Sequence, residues 1–205
     1  MLFDADEDGD LDLIEAGSSV LRFLRNEKGL FRNATEAVGL ANAGPATGAI
    51  SGDYDNDGRT DLFLLRADGY RLFHQTSTST FEDVSGKSGI GAIVAPKSAA
   101  FPQAAAFADV DHDGDLDLVV TGSPTRLLRN NGNGTFADIG VQAGISAPVS
   151  SIALAATDYD NRRDIDLLIL PGTGAPVLYR NMRDGSFRDA AGDSGLPSGG
   201  TNSAL

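Results

Sequence analysis

The sequence predicts an all-β fold made of four β-propeller blades, each with four strands, and three observations lead to this prediction. Short acidic segments begin at Asp4, Asp53, Asp109 and Asp158, which are 49, 56 and 49 residues apart in a chain of 205 residues. Two further motifs recur in the same order within every repeat. Glycine is abundant, with 25 residues, and short apolar runs alternate with turn residues without a helical period. About 50 residues holding four short strands are typical of a propeller blade, whereas a β-sandwich with coincidental similarity would not keep three motifs in fixed order.

The acidic segments, which we name acidic loops 1 to 4, span residues 4–12, 53–61, 109–117 and 158–166. They contain 19 of the 29 acidic residues of the chain and 3 of its 16 basic residues. The formal net charge of −13 is therefore concentrated at four repeated points. This distribution indicates bound cations rather than an acidic surface, and the lack of a basic stripe argues against nucleic acid as a partner.

Loops 1 to 3 follow the pattern D-x-D-x-D-G-x-x-D. Carboxylates at positions 1, 3, 5 and 9 can converge on one hard cation, position 7 can offer a backbone carbonyl, and glycine at position 6 allows the sharp turn. Oxygen ligands of this kind suit Ca²⁺ better than Mg²⁺ or Mn²⁺. The predicted side-chain ligands are Asp4, Asp6, Asp8, Asp12, Asp53, Asp55, Asp57, Asp61, Asp109, Asp111, Asp113 and Asp117. The predicted carbonyl ligands are Asp10, Arg59 and Asp115.

The loops differ from an EF-hand, which needs flanking helices and a bidentate Glu at position 12. Here position 12 is Glu15, Leu64 or Val120, and the last aspartate opens a β-strand. An acidic turn without a metal is the alternative interpretation, and three near-identical copies argue against it.

Loop 4 departs from the pattern, because Arg162 replaces the third carboxylate and Arg163 replaces the glycine. The Arg162 guanidinium can stand near the metal position and pair with a neighbouring carboxylate of the loop. We therefore expect a weak or lost fourth calcium site. Its remaining carboxylates are Asp158, Asp160, Asp164 and Asp166.

The rest of each repeat is also regular. An apolar strand (LDLIEA, TDLFLL, LDLVVT or IDLLIL) follows each loop. The strand residues expected to be buried on both faces are Leu62, Phe63, Leu118, Val119, Leu167 and Leu168. A short strand and a polar hairpin turn come next, and a recurring phenylalanine begins the last strand. These phenylalanines, predicted to fill the core between blades, are Phe31, Phe81, Phe136 and Phe187. The two histidines fall in a predicted turn (His74) and at a variable loop position (His112), so no Ser-His-Asp set is evident.

Residues 202–205 resemble the start of the strand that precedes an acidic loop, and residues 1–4 resemble the end of that strand. The two chain ends therefore fall at the same point of the repeat. A closed four-bladed ring and a part of a larger ring both fit this pattern, and we favour the larger ring. No stretch approaches the roughly 20 apolar residues of a membrane span. No signal peptide is visible, so an export signal would lie outside this chain.

Loops of this kind at blade spacing resemble the FG-GAP/VCBS repeats of the integrin-α-like propeller superfamily. The closest similarity is to bacterial and cartilage-acidic-protein-like members, in which LxRNxGxGxF and FxDVxxxxGI follow the loop; Leu128–Phe136 carries the first motif and FEDVSGKSGI, from Phe81, the second. The Phe-Gly and Gly-Ala-Pro motifs that give the family its name are poorly matched in this sequence. The resemblance covers essentially the whole chain and implies a ring of seven or eight blades, with further blades of the same protein as partners.

These observations predict one propeller region over residues 1–205 with about three structural Ca²⁺ sites. We expect a non-catalytic module for protein or glycan interaction or adhesion, located outside the cell, on its surface or in the periplasm. The alternatives are an accessory or catalytic propeller of a polysaccharide lyase or hydrolase, and a sugar-binding lectin. A catalytic site would need a convergent His, Tyr, Lys or Arg cluster, and a lectin would need aromatic platforms; the chain has no tryptophan and four tyrosines.

Overall fold

The computed structural model describes residues 1–93, 104–122, 124–145 and 151–196, which form four antiparallel four-stranded sheets. The strands of the first two sheets are β1 (Leu2–Phe3), β2 (Asp12–Gly17), β3 (Val20–Glu27), β4 (Leu30–Asn33), β5 (Gly48–Gly52), β6 (Asp61–Arg66), β7 (Gly69–Ser77) and β8 (Thr80–Asp83). The strands of the other two are β9 (Ala105–Ala108), β10 (Asp117–Val120), β11 (Arg126–Asn130), β12 (Phe136–Asp138), β13 (Ser151–Thr157), β14 (Asp166–Pro171), β15 (Val177–Asn181) and β16 (Phe187–Asp189). A short 3-10 helix spans Ile90–Ala92.

Every sheet follows chain order from one edge to the other, as consecutive hairpins dictate. The predicted four strands per repeat are confirmed, and the last aspartate of each acidic loop opens the second strand of its sheet. Residues 202–205, on which the expectation about ring closure depends, lie outside the described residues. Among the described residues, no helix is long and apolar enough to cross a membrane.

The chain divides into two compact units, Met1–Ala95 with the first two sheets and Pro96–Leu205 with the other two. In the first unit, the rings of Phe23 and Phe81 lie 6.3 Å apart and join the cores of the two sheets. In the second unit, Val119 and Leu127 of the third sheet share a core with Ile169 of the fourth. Strand β6 is buried from Asp61 to Leu65 and β10 along its whole length, so both faces of these strands are covered, as predicted.

Within each unit, a turn of one sheet is bonded to the last strand of the next. The Phe81 amide donates a hydrogen bond to Val38 O at 2.9 Å, and the Phe187 amide donates one to Ala143 O at 2.7 Å. The glycine after each acceptor has a left-handed backbone, with φ of 86° at Gly39 and 80° at Gly144. A Cβ on Gly39 would lie 2.4 Å from Phe81 O, so this contact requires glycine.

The predicted burial of the repeated phenylalanines is wrong for Phe31, which is 49% exposed on β4. Phe81, Phe136 and Phe187 are buried, as expected. Phe81 and Phe187 are bonded to the turn of the preceding repeat, a contact that the structure does not show for Phe31.

Candidate metal centre

Each acidic loop joins the first two strands of its sheet. The loop is closed by a cross-strand pair at its base, in which the ninth-position aspartate pairs with the last residue of the first strand. These pairs are Phe3–Asp12, Gly52–Asp61, Ala108–Asp117 and Thr157–Asp166. The antiparallel ladder therefore fixes both ends of all four loops in the same way.

The four loops also share one backbone conformation. The fourth position is left-handed throughout, with φ between 57° and 62° at Glu7, Asn56, His112 and Asn161. The sixth position is left-handed too, with φ of 90° at Gly9, 85° at Gly58 and 92° at Gly114. Arg163 adopts φ 67° at this position in loop 4, a conformation that costs a residue with a Cβ roughly 1–2 kcal/mol. Loop 4 has therefore kept the shape of the others without the glycine that favours it.

The first-position aspartate orders the turn from inside. Asp4 Oδ1 accepts a hydrogen bond from the Asp8 amide at 3.2 Å, and its Oδ2 accepts one from the Gly9 amide at 2.9 Å. Asp53 and Asp158 bind the amides of positions 5 and 6 in the same way. A carboxylate has about four lone-pair sites, so oxygens that accept these bonds can still coordinate a cation.

The ninth-position aspartate is the most buried acidic group of each loop, with at most 1% of its surface exposed. Its Oδ1 accepts a hydrogen bond from a main-chain amide of the third strand at 2.8 Å, and its Oδ2 accepts one from the second-position amide at 3.1–3.3 Å. The third-strand donors are Asn26, Gln75, Asn130 and Asn181. This carboxylate therefore ties the loop to two strands, whatever else it binds.

The structure brings most of the predicted ligands together. In loops 1 and 3, one oxygen from each of positions 1, 3 and 5 lies within 4.8 Å of the others; in loops 2 and 4 this holds for positions 1, 3 and 9. The seventh-position side chains are used elsewhere: Asp10 Oδ2 accepts the Lys28 amide at 3.2 Å, and Arg59 Nε donates to Gln75 O at 2.7 Å. That position 7 offers its carbonyl to a cation stays a prediction.

Burial and mutual repulsion raise the pKa of these carboxyl groups. Burial raises the pKa of Asp117 to about 7 and that of Asp61 to about 6, although backbone hydrogen bonds oppose the shift. The pKa values of Asp6, Asp55 and Asp111 are also raised, first by burial and further by neighbouring aspartates. Without a cation, these five carboxyl groups therefore hold a proton to a higher pH than a free aspartic acid does.

Two buried carboxylate oxygens in the loops have neither a hydrogen-bond nor an ion-pair partner among the described residues: Asp6 Oδ1 and Asp109 Oδ1. Buried polar atoms in proteins are rarely left unsatisfied, because each one loses its hydration without compensation. In loops 1 and 3 the donor set consists of oxygen atoms, and it lies on a turn that already has the required shape. These residues fit a hard divalent cation.

Loop 2 contains a residue that the sequence analysis misplaced. His74 lies in strand β7, not in a turn, and its Nδ1 is 3.1 Å from Asp61 Oδ1 and 3.3 Å from Asp55 Oδ2. Its position in the repeat is that of Arg25 and Arg180, which reach the third-position carboxylates of loops 1 and 4. Alignment of the repeats places His74-Gln75 at the position of the Arg-Asn pairs, and this alignment would have indicated that His74 lies in a strand beside the loop.

Loop 4 contains a built-in positive charge. Arg162 Nε lies 3.1 Å from Asp160 Oδ2 and Arg180 Nε lies 3.2 Å from the same atom, so the predicted pairing of Arg162 with a loop carboxylate is confirmed. Asp164 is drawn away from the loop centre, since Arg183 Nε is 2.6 Å from both of its oxygens. Two guanidinium groups thus stand at the third-position carboxylate, which in loop 1 has an unsatisfied oxygen.

Two solved structures are similar to this chain at low sequence identity. The chain is similar to a lectin from Agrocybe aegerita that recognises non-reducing terminal N-acetylglucosamine, with a TM-score of 0.52 and 20% identity over 98% of this chain and 55% of the lectin. It is also similar to the Photorhabdus luminescens Tc holotoxin pore, with a TM-score of 0.46 and 23% identity over 92% of this chain and 9% of that one. This chain thus spans about half the length of the lectin. No curated protein matches it.

The FG-GAP-like repeat model matches residues 4–64, 53–120 and 109–169. Each match begins at an acidic loop and ends in the apolar strand that follows the next loop. Together with the four four-stranded sheets, these matches confirm the predicted β-propeller fold class. The chain belongs to the FG-GAP-like repeat family.

Proposed function

We propose that this protein is a calcium-stabilised, non-catalytic propeller module that binds a glycan or protein ligand outside the cytoplasm. The observation that carries the proposal is the repetition of one loop geometry, with clustered carboxylates, at the base of every sheet. Three loops keep the full acidic pattern, and the fourth has arginines in it. We therefore propose three Ca²⁺ sites and a weak or absent fourth.

Calcium is favoured over other cations by the chemistry of the loops. Ca²⁺ takes six to eight oxygen ligands in flexible geometry, and carboxylates, a backbone carbonyl and water can supply them here. Mg²⁺ demands a tighter octahedral arrangement and gives up its water reluctantly. The loops have flexible acidic side chains on a fixed backbone, which suits the larger ion.

The proposed role of calcium is structural. The ninth-position carboxylates connect loop and strands from a buried position, and their charge is costly there without a cation. An ion that binds only the folded chain stabilises it by about 2.7 kcal/mol per site at a concentration 100 times its Kd. Weak loop sites of this kind fill at the ~10⁻⁴–10⁻³ M calcium found outside cells, which supports the proposed location.

Ligand binding is supported by the fold and by the Agrocybe aegerita lectin, whose glycan recognition makes a saccharide a reasonable ligand class here. The histidines do not favour catalysis, since His74 and His112 face carboxylates of the acidic loops.

Thermal unfolding of metal-free protein, with and without added Ca²⁺, tests the calcium proposal. We expect 1 mM Ca²⁺ to raise the melting temperature by roughly 5–15 °C, and Mg²⁺ at the same concentration to raise it much less. Equal melting curves in Ca²⁺ and in chelator would contradict it. Glycan-array and pull-down experiments then address the ligand class.

A further inference from the structure

In the second unit, a cleft with a volume of about 430 Å³ lies between the third and fourth sheets of the chain. Its lining includes an apolar wall of Leu127, Ile139 and Phe187, and polar residues from acidic loops 3 and 4. The volume lies in the range of small-molecule sites, and an apolar wall with a few polar groups is their usual composition.

The charge of this cleft differs from that of the protein as a whole. Arg129, Arg163 and Arg183 line it, against Asp111 and Asp164, so its formal charge is +1 in a chain whose net charge is −13. A positive cleft on an acidic protein favours a ligand that bears a negative charge.

Two of the three arginines are available to a ligand. Arg183 is held by both oxygens of Asp164, which also lies 3.3 Å from His112 Nε2. Among the described residues, Arg129 and Arg163 form no ion pair, and Arg129 reaches only Asn131 Oδ1 at 3.5 Å. Both side chains are exposed.

Arg163 also stands at a position where its presence is unfavourable for the backbone. Acidic loops 1 to 3 have glycine there, and loop 4 keeps the same left-handed turn with φ 67° at an arginine. Strain that a glycine would relieve is often stored where the side chain has a function. The cleft gives this side chain a site to act in.

We propose that this cleft binds the carboxylate of an acidic sugar, with Arg129 and Arg163 pairing with the carboxylate and the apolar wall contacting the sugar ring. Guanidinium groups match carboxylates in planar two-bond geometry, which gives the pair its selectivity. The choice of a sugar rests on the glycan-binding part of the proposed function, whereas the choice of an anion rests on the cleft itself.

Ligand-observed NMR and calorimetry with two matched probes test this proposal. The probes are 4-nitrophenyl β-D-glucuronide and 4-nitrophenyl β-D-glucoside, which differ by the carboxylate alone, and the whole chain is used in the presence of Ca²⁺. We expect the glucuronide to bind at least tenfold more tightly than the glucoside. Equal affinity for the two probes, or no binding of the glucuronide, overturns the proposal.

Variants locate the site. Arg163→Gly and Arg129→Gln should each weaken glucuronide binding tenfold or more, while Arg188→Gln, which removes an exposed pair with Asp193, should not. Because glycine suits the turn, Arg163→Gly should melt at the same or a higher temperature, so its loss of binding cannot be attributed to unfolding. Unchanged glucuronide affinity in Arg163→Gly overturns the assignment.

A competition experiment with acetate distinguishes a site for an acidic sugar from a site for any carboxylate. Acetate that displaces the glucuronide at equal concentration shows a site for carboxylates alone, and that result overturns the sugar part. Failure here and failure of the proposed function are distinct. Binding of neutral glycans by the wild type, together with no binding of the glucuronide, would leave the glycan-binding function intact and refute the cleft.

Discussion

Each aspartate of an acidic loop has a distinct physical role that depends on its position. The first turns the backbone, the ninth connects the loop to the strands from a buried site, and the third carries an unsatisfied oxygen in loop 1. A change of Asp to Asn therefore has different consequences at different positions, although the sequence pattern treats all four carboxylates alike.

In loop 3, Asp117→Asn and Asp113→Asn form a matched pair. Asp117 accepts two main-chain amides, from Asn130 at 2.8 Å and Val110 at 3.2 Å, and the amide group of an asparagine can accept only one of them. We expect Asp117→Asn to lower the free energy of unfolding by about 1–3 kcal/mol even without calcium. Asp113 is exposed and its Oδ1 bond to the Asp115 amide survives in asparagine.

Asp113→Asn should therefore change the free energy of unfolding of the metal-free protein by less than about 0.5 kcal/mol. It should reduce the additional free energy of unfolding that calcium provides. Urea denaturation in chelator and in Ca²⁺ measures both quantities. Equal loss of stability for the two variants in chelator would show that the buried amide bonds do not distinguish Asp117.

At the scale of the element, the repeat pattern was sufficient to predict the strands and the loops. The ninth aspartate was expected to open a strand, and Asp12, Asp61, Asp117 and Asp166 do so. Periodicity gives the order of elements, but it does not give contacts between residues far apart in sequence. For this reason the exposure of Phe31 and the position of His74 among the loop 2 carboxylates became known only from the structure.

The turn-to-strand contact between the first two sheets allows a test of packing. Gly29 and Gly39 both have left-handed backbones, but a Cβ on Gly29 meets nothing within 4 Å, whereas one on Gly39 would lie 2.4 Å from Phe81 O. Gly29→Ala should cost roughly 1–2 kcal/mol from backbone strain alone. Gly39→Ala should cost about 1–3 kcal/mol more, because the turn must move away from β8. Denaturation midpoints compare the two variants, and similar losses would mean that the contact yields easily.

Acidic loops without a cation should make stability depend on pH in a direction unusual for carboxylates. The pKa of Asp117 rises from 3.8 to about 7 on folding, so the folded chain holds a proton that the unfolded chain has released. The contribution of Asp117 to the stability of the metal-free protein should therefore be greatest below pH 4. This contribution should be lost as the pH rises through 7. Calcium binds the ionised form, so the stabilisation that it adds should grow over the same interval.

Melting temperatures of metal-free protein from pH 5 to pH 8, with and without Ca²⁺, test this. In Asp117→Asn the fall above pH 6 should be smaller, because the titrating group is gone. A metal-free protein that becomes more stable from pH 5 to pH 8 would contradict the expected sign.

For the molecule as a whole, the acidic loops account for its charge. Outside them the chain has 13 basic and 10 acidic residues, so the rest of the protein is nearly balanced. Three divalent cations in loops 1 to 3 would offset about half of the net charge of −13, and loop 4 has a partial substitute in Arg162 and Arg180. The calcium stoichiometry of the whole chain therefore depends on which loops lack internal cations.

Restoring the pattern in loop 4 tests this dependence. The double substitution Arg162→Asp and Arg163→Gly gives loop 4 the carboxylate and the glycine of the other loops on a backbone that already has their shape. We expect the number of Ca²⁺ ions bound per chain to rise from about three to about four, and the calcium-induced rise in melting temperature to grow. Arg180 should not prevent this, because Arg25 lies 3.4 Å from Asp6 in loop 1, which we count among the intact sites. Calorimetric titration or equilibrium dialysis measures the stoichiometry, with Arg188→Gln as the charge control. Unchanged stoichiometry in the double variant would mean that the arginines of the loop are not what excludes calcium from it.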